Sequence, residues 1–203
     1  MLLAIPVAVG LLLGKLTGGS FKNLAATPLR APWIFLTGFL FQVALFNPLT
    51  VHQAWDVRYG HALYVASLAA LFAGLAINIP RLRWPILVLS VGAGLNLLIV
   101  AANGGAMPVD ARQLAKTHGP AIVKLIREHR YASNVIPAGA GTRLSILDDH
   151  ITIPSPLFAG VYSIGDLLIG LGGALLIVAE MHAQRGVASS RRRRQLTASV
   201  VAG

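Results

Sequence analysis

Five apolar runs, separated by prolines, glycines and charged residues, dominate the pattern of hydrophobic and polar positions along the chain. Proline is tolerated at helix ends and disfavoured in helix interiors, so the prolines that bracket the second and third runs predict helix boundaries. The runs approach the ~20 apolar residues that a helix needs to cross a bilayer core. We therefore predict an all-α membrane helix bundle of about five spans. The predicted spans are 1–16, 30–47, 61–79, 84–102 and 162–182.

The first run is shorter than a full span, and whether it crosses the bilayer completely is left open. A secretory signal peptide carries its positive charge before the apolar stretch, whereas Lys15 follows this one. We therefore expect the first run to be retained as a helix.

One long segment, 103–161, separates the fourth and fifth runs and is predicted to form an extracytoplasmic loop of about 60 residues. Within it, Val109 to Tyr131 has the apolar spacing of an amphipathic helix or a pair of helices, broken where Pro120 follows Gly119. The predicted apolar face consists of Leu114, His118, Ile122, Leu125, Ile126 and His129. The rest of the loop is rich in Gly, Pro and Ser, which predicts short turns and extended pieces.

The composition agrees with a membrane protein, because 55% of the residues are hydrophobic and 12% are charged. Soluble domains carry about a quarter charged residues. The net charge of +10 matters through its distribution, since cytoplasmic flanks of membrane spans are enriched in Lys and Arg. An outside N-terminus and a cytoplasmic C-terminus place ten positive residues inside, against Arg58 alone in the short outer loop 47–60. The ten are Lys15, Lys22, Arg30, Arg81, Arg83, Arg185 and Arg191–Arg194.

The C-terminal tail, 183–203, is basic and is predicted to be disordered. Its run Arg191–Arg194 follows a predicted span directly. In that position, contact with anionic lipid headgroups explains the run better than nucleic-acid binding does. We expect the bilayer, and no nucleic acid, as the partner of the tail.

Asp166 near the head of the fifth run is the carboxylate that most needs an explanation, because a buried acid in a bilayer is costly. Ser163 and Asp166 have the [ST]-x-x-[DE] spacing of a capping box, which places the acid in the first turn of the helix. A helix cap is therefore the favoured interpretation. The alternatives are binding of a cationic group, a buried pair with an arginine of the long loop, and an ion relay.

Glycines recur in the fourth and fifth runs and predict that these two helices lie in close contact. They are Gly92, Gly94, Gly165, Gly170, Gly172 and Gly173. Asn96 lies inside the fourth run, where its amide must find hydrogen-bond partners, most simply on a neighbouring helix. Asn96 is thus predicted either to join helices or to form part of the wall of a polar pocket.

The fourth run ends in Asn103-Gly104-Gly105-Ala106-Met107-Pro108-Val109. Asn and Gly tolerate positive φ, so this stretch predicts a tight exit turn. The alternative is a small nest of backbone N–H groups that binds an anion such as a lipid phosphate.

Candidate enzyme chemistry is sparse. With no cysteine, disulfides, thiolate metal sites and cysteine nucleophiles are excluded, and no Walker, dinucleotide or G-x-S-x-G motif occurs. Asp148, Asp149 and His150, with His118, are weak metal candidates without a metal-site spacing such as HExxH. A surface turn with solvated charges explains the Asp148-Asp149-His150 stretch more simply. We expect no cofactor.

Five short motifs together resemble a family of small bacterial multi-pass membrane proteins of unknown function. They are Gly18-Gly-Ser-Phe-Lys-Asn-Leu24, Gly94-Leu-Asn96, the NGGxMPV stretch 103–109, Leu147-Asp148-Asp149, and Ser163-Ile-Gly-Asp166. The Leu-Asp-Asp motif departs from the Leu-Gly-Asp expected at that place, so a tight-turn role for position 148 does not carry over. The resemblance implies an integral protein of the bacterial cytoplasmic membrane and implies no activity.

These observations favour a non-enzymatic binding or accessory protein with a small polar pocket at the outer membrane–water interface. Its expected occupant is a lipid headgroup, a small ligand or a partner subunit. The predicted pocket residues are Asn96, Asn103, Gly104, Gly105, Met107, Pro108 and Asp166. Two alternatives stay open, a small ion- or proton-coupled transporter using Asp166 and a membrane metal-dependent hydrolase.

Overall fold

The computed structural model describes residues 4–46, 54–128, 134–153 and 160–183. This part of the chain is mostly helical. The helices are α1 (Ala4–Leu16), α2 (Phe21–Ala25), α3 (Pro32–Phe46), α4 (Ala54–Ala102), α5 (Ala111–His118), α6 (Pro120–Arg127) and α7 (Ile164–His182). The strands are β1 (Met107–Val109), β2 (Val135–Pro137), β3 (Ile151–Ile153) and β4 (Gly160–Tyr162).

Two helices of the described part are long and apolar enough to cross a membrane, judged by length and composition. They are residues Arg58–Ala102 of α4 and the whole of α7. The apolar helices α1 and α3 have 13 and 15 residues, so each is about 20 Å long at 1.5 Å per residue. Both are shorter than a ~30 Å bilayer core.

The long helix α4 is a hairpin of two helical arms that meet at Arg83, whose backbone (φ 57°, ψ −145°) is not helical. Residues on the two sides of Arg83 pack against each other. Leu75 lies in one buried cluster with Ile86, and Tyr64 packs against the buried cluster that contains Val100. Residues farther from the break in the first arm therefore meet residues farther from it in the second arm. The arms are therefore antiparallel, and they are called the first and second arm below.

The boundaries predicted for the third span are wrong at both ends. The helix begins at Ala54 rather than His61, and it continues through Pro80 instead of stopping there. Pro80 and Pro85 lie within one turn of Arg83 on either side. Pro85 lies in the first turn after the break, where its missing N–H is of little consequence, and Pro80 lies in the last turn before it, so the reversal at Arg83 falls between them.

The remaining long helices pack on the hairpin in a row. Along α7 and α1, Gly10 meets Ala174 and Gly14 meets Met181, so these two helices are parallel. The second arm and α7 are antiparallel, with contacts Asn96 to Asp166, Gly92 to Ile169 and Leu89 to Gly172. The first arm and α3 are antiparallel as well, with contacts Gly38 to Leu71 and Phe35 to Gly74.

The resulting order across the bundle is α1, α7, second arm, first arm, α3. In chain order, each of the five helical segments runs opposite to the one before it. Contact between the fourth and fifth predicted spans, expected from their glycines, is confirmed. The glycines divide between neighbours, however, because Gly94 faces Phe72 of the first arm and Gly170 faces Pro6 of α1.

The turn-rich end of the bundle near α2 is tied to α7 and the first arm. The Met181 carbonyl accepts hydrogen bonds from the Ser20 N–H (2.8 Å) and the Asn23 amide (3.0 Å). The fully buried Asn78 holds the backbone of Arg30 from both sides, accepting from its N–H at 2.7 Å and donating to its carbonyl at 3.0 Å. The basic run Arg191–Arg194 lies outside the described residues.

The described part of the segment after α4 forms a small cap in which two helices are combined with short paired strands, in agreement with the extended pieces predicted there. Strand β1 pairs in parallel with β2, from Met107–Val135 to Val109–Pro137, and β3 pairs antiparallel with β4. The predicted break between two amphipathic helices is confirmed at Gly119, whose φ is +83°. Val109 belongs to a strand instead, because helix α5 starts after Asp110, whose carboxylate caps it.

The apolar face of these helices is largely as expected. Leu114 and Ile126 are buried with Val109, and Ile122 packs against them. The expectation for His118 is wrong, since it is exposed and its ring contacts Thr117. His129 and Tyr131 lie outside the described residues.

Candidate ligand-binding cavity

The start of α7 is fixed by a capping box. The Ser163 hydroxyl accepts from the Asp166 N–H at 3.0 Å, and the Asp166 carboxylate accepts from the Ser163 N–H at 3.2 Å. This is the arrangement that the spacing predicts. It satisfies N–H groups that have no partner within the helix, and it places a negative group at the positive end of the helix.

Asn96 of the second arm closes this cap into a network. Its Nδ2 donates to Asp166 Oδ1 at 2.7 Å, and its Oδ1 accepts from the Ser163 hydroxyl at 3.0 Å. The donors that reach Asp166 are N–H groups, so the acid acts as an acceptor, as an ionised carboxylate does. Among the described residues, the side-chain partner of Asp166 is Asn96, and no arginine forms a salt bridge with it.

Glycine makes this close approach of the two helices possible. A methyl group added at Gly165 would overlap the Asn96 amide oxygen. One added at Gly92 would lie 2.6 Å from the Gly165 carbonyl oxygen. A side chain at either position would push the two helices apart and separate Asn96 from the α7 cap.

A cavity of about 420 Å³ lies inside the bundle beside this network. All five long helical segments contribute to its wall, which is mostly apolar. The lining residues are Pro6, Val7, Phe35, Gln42, Tyr64, Leu68, Leu71, Leu75, Leu89, Ala93, Asn96, Asp166, Ile169 and Gly173. Its polar members, Gln42, Tyr64, Asn96 and Asp166, lie toward the end of the bundle where α7 begins.

Asn103, predicted to line a pocket, instead fastens the cap to the end of α4. Its Nδ2 donates to the Ile99 carbonyl at 2.8 Å and to the Arg143 carbonyl at 2.9 Å. Its Oδ1 accepts from the Arg143 N–H at 3.0 Å. Both N–H groups of this amide are thus used within the protein, and Asn103 does not line the cavity.

The other predicted pocket residues are structural in the same region. Gly104 and Gly105 have φ of +72° and +91° and form the predicted exit turn, in which Gly105 packs on the backbone of His61. Met107 and Pro108 are buried in β1. Of the seven predicted pocket residues, the structure therefore brings Asn96 and Asp166 to the cavity and places the other five around the exit turn.

Asp149 is a second acid near the polar end of the cavity. Hydrogen bonds of its backbone with Pro108 (3.0 Å) and Asp110 (2.8 Å) hold it beside β1. Its Oδ1 is buried and has no hydrogen-bond partner. Burial raises the pKa of the Asp149 carboxyl to about 8, and the charges of Asp166 and Asp148 act in the same direction. Asp149 is therefore mostly protonated at neutral pH.

Asp148 makes its own contact with a histidine of the cap. Its carboxylate lies 2.7 Å from His150 Nδ1 and is buried, so the expected turn of solvated charges is wrong at this residue. Among the described residues, no group of three or more His, Cys, Asp or Glu side chains could hold a metal ion. The weak metal candidates Asp148, Asp149, His150 and His118 thus do not form such a site there.

Sequence reasoning missed two of the polar cavity residues. Gln42 was detectable as the amide in the otherwise apolar run of α3, in the same way as Asn96. Tyr64 gave no such signal, because tyrosine is common in membrane helices and only packing places its side chain near Asp149 and Asp166.

Comparison with known families gives one match. The model of a family of unknown function, DUF5317, covers residues 26–178, which is most of the chain. The chain belongs to the DUF5317 family. The match confirms the resemblance drawn from the sequence motifs. The matched range includes Asn96, Ser163 and Asp166 of the capping network and every cavity-lining residue except Pro6 and Val7. No curated protein and no solved structure matches the chain.

Proposed function

We propose that this chain is a non-enzymatic, multi-pass protein of the bacterial cytoplasmic membrane that binds one amphipathic molecule in the cavity among its helices. The observation that carries the proposal is the cavity itself, which is apolar along most of its wall and polar at one end. Cavities of this size and character are typical ligand sites.

Five spans are the topology that we propose. The five long helical segments alternate in direction, which is required of consecutive membrane spans. Helices α1 and α3 are too short to cross alone, so flanking residues or local thinning of the bilayer must complete them.

Charge supports one orientation of these spans. Positive residues gather at the end of the bundle formed by the C-terminus of α1, α2, the N-terminus of α3 and the Arg83 turn. They are Lys15, Lys22, Arg30, Arg81 and Arg83. By the positive-inside rule this end is cytoplasmic. The N-terminus and the cap 103–161 are then extracytoplasmic.

Cysteine labelling tests this orientation cleanly, because the chain has no cysteine of its own. Ser145 in the cap and Lys22 in α2 are both exposed and are suitable positions for single cysteines. A membrane-impermeant maleimide applied to intact spheroplasts should label Ser145→Cys at once and Lys22→Cys only after permeabilisation. Labelling in the opposite order would refute the orientation.

The position of the polar end fits a lipid-like ligand. Asp166 lies in the first turn of α7, about 5 Å from its start, and Asn96 lies about 9 Å from the end of the second arm. In the proposed topology both lie near the outer interface, where headgroups reside. The apolar part of the cavity, with Leu71, Leu75 and Leu89, extends toward the bilayer centre.

The row of helices also provides an entrance. In the proposed binding mode, an amphiphile enters sideways between α1 and α3, because these helices are the two ends of the row and both line the cavity.

The transporter alternative receives less support. Both oxygens of Asp166 accept hydrogen bonds that cap α7 or join it to the second arm. Releasing this acid to carry a proton or ion would leave the Ser163 N–H and the Asn96 amide without a partner. A fixed role as part of a binding wall agrees better with these contacts.

Photolabelling tests the proposed function. A lipid analogue with a photoreactive group in its acyl chain should crosslink to cavity residues such as Leu71, Leu75 and Leu89. The substitution Ala93→Trp places a bulky ring inside the cavity and should abolish that labelling. Val91→Trp is the matched control, because Val91 lies on the same arm with 46% of its side chain exposed. Equal labelling of the cavity residues in both variants would refute the proposal.

A further inference from the structure

The charge of the cavity indicates which polar group it accepts. Among the described residues that line it, Asp166 alone carries a formal charge, and none is Lys, Arg or His. A phosphate or carboxylate headgroup pressed against this end would meet a carboxylate without a cation to balance it. An anionic headgroup is therefore disfavoured in the cavity.

The hydrogen-bonding capacity left in the network also favours a ligand that donates hydrogen bonds. A carboxylate oxygen can accept about two hydrogen bonds. Asp166 Oδ1 accepts from Asn96 and Oδ2 accepts from the Ser163 N–H, so each oxygen retains capacity for a further donor. The free hydrogen-bonding capacity of Asp166 is thus that of an acceptor.

Asp149 supplies an independent observation. Its buried Oδ1 has no partner within the protein, although a buried polar atom without a partner is costly. The charge of Asp166 contributes to the raised pKa of Asp149, although Asp149 is not among the residues that line the cavity. A hydrogen-bond donor brought to this end of the bundle would relieve the deficit at Asp149.

We propose that the cavity selects an amphiphile whose polar group is a primary ammonium, held at the polar end by Asp166 and Asn96, with Asp149 nearby. A primary ammonium carries one positive charge and three N–H donors, which matches a carboxylate whose two oxygens each retain capacity for a further donor. This inference rests on the proposed function, because it assigns the headgroup class of the molecule that the cavity binds.

Competition among lipids with identical acyl chains tests this selectivity. The probes are phosphatidylethanolamine, which has a primary ammonium, phosphatidylcholine, which has a cation without N–H donors, and phosphatidylglycerol, which has no cation. The purified full chain should bind phosphatidylethanolamine at least ~10-fold more tightly than phosphatidylglycerol, a difference of ~1.4 kcal/mol. Phosphatidylcholine should lie between them.

Two variants connect the preference to the acids. Asp166→Asn should reduce the preference for phosphatidylethanolamine to ~2-fold, since the charge is lost while an amide still fits the space. Because Asp166→Asn also weakens the cap of α7, Asp149→Asn serves as the second variant. It leaves the cap intact and, measured at pH 8.5, where the Asp149 carboxyl is mostly ionised, should reduce the preference ~3-fold.

The outcomes separate the two proposals. Equal or tighter binding of phosphatidylglycerol, or a preference that both variants leave unchanged, would overturn the ammonium inference while the cavity still binds lipid. If no lipid binds the wild-type chain better than Ala93→Trp, the proposed function itself fails, and the inference fails with it.

Discussion

Gly165 in the first turn of α7 should not tolerate even a methyl group. The added Cβ of Gly165→Ala would overlap the Asn96 amide oxygen and would lie 2.9 Å from the Gly92 carbonyl oxygen. Either the two helices separate or Asn96 leaves the network, and in the second case its hydrogen bonds to Ser163 and Asp166 are lost.

The magnitude follows from three contributions. Overpacking costs about 1–3 kcal/mol. Each interhelical hydrogen bond that is lost costs about 1 kcal/mol in a membrane protein. Replacing glycine by alanine in a helix favours folding by up to about 1 kcal/mol, which offsets only part of this loss. The free energy of unfolding of Gly165→Ala should therefore fall by about 2–4 kcal/mol.

Gly173 on the same helix provides the matched control. A methyl group there meets only Leu89 Cδ1, at an ordinary contact distance of 3.8 Å. Gly173→Ala should therefore leave the free energy of unfolding unchanged or raise it by up to about 1 kcal/mol. Equilibrium unfolding of both variants in detergent micelles measures the difference. If Gly165→Ala proves as stable as Gly173→Ala, the close contact at the α7 cap is refuted.

Two further predictions concern the cap over the bundle. Because the pKa of Asp149 is raised to about 8, the folded protein holds a proton there that the unfolded chain releases near pH 4, so stability should decrease between about pH 4 and 8. Asp149→Asn should flatten this decrease and be more stable than wild type at pH 8.5. The measurement is the free energy of unfolding of both proteins at pH 5 and pH 8.5. An equal decrease in the two proteins would contradict the burial of this acid. Asn103→Ala should release the backbone of Arg143 and increase the rate of amide hydrogen exchange around Arg143 at least ~10-fold, while the amides of α7 stay protected. An unchanged exchange rate would mean that Asn103 does not hold the cap.

Local patterns were sufficient to predict the helical elements and the α7 cap. The capping box is recognised from Ser163 and Asp166, which are three residues apart in the sequence. The contact between the two helices is predicted from the glycines that recur in both runs. The choice of partner was not predictable. Asn96 and Asn103 are both amides close to the end of one helix, yet one joins helices and the other fastens the cap, because the structure places different groups beside them.

The cap itself was predictable only in part. Its helices follow from apolar periodicity, whereas its three-residue strands are too short to show a pattern, and β1 pairs with β2 across 28 positions of sequence, from Met107 to Val135. For a related reason, the sequence predicts a helix end at Pro80, whereas the chain reverses at Arg83. Proline indicates that a helix is close to its end, and packing decides at which residue the chain turns.

Native mass spectrometry of gently extracted protein tests the central claim, that the cavity among the helices binds one amphipathic molecule, most directly. Wild-type protein and Val91→Trp should each retain one lipid per chain, whereas Ala93→Trp should be found without it. Loss of the lipid from both tryptophan variants, or retention by Ala93→Trp at the wild-type level, would contradict the claim that this cavity is the binding site.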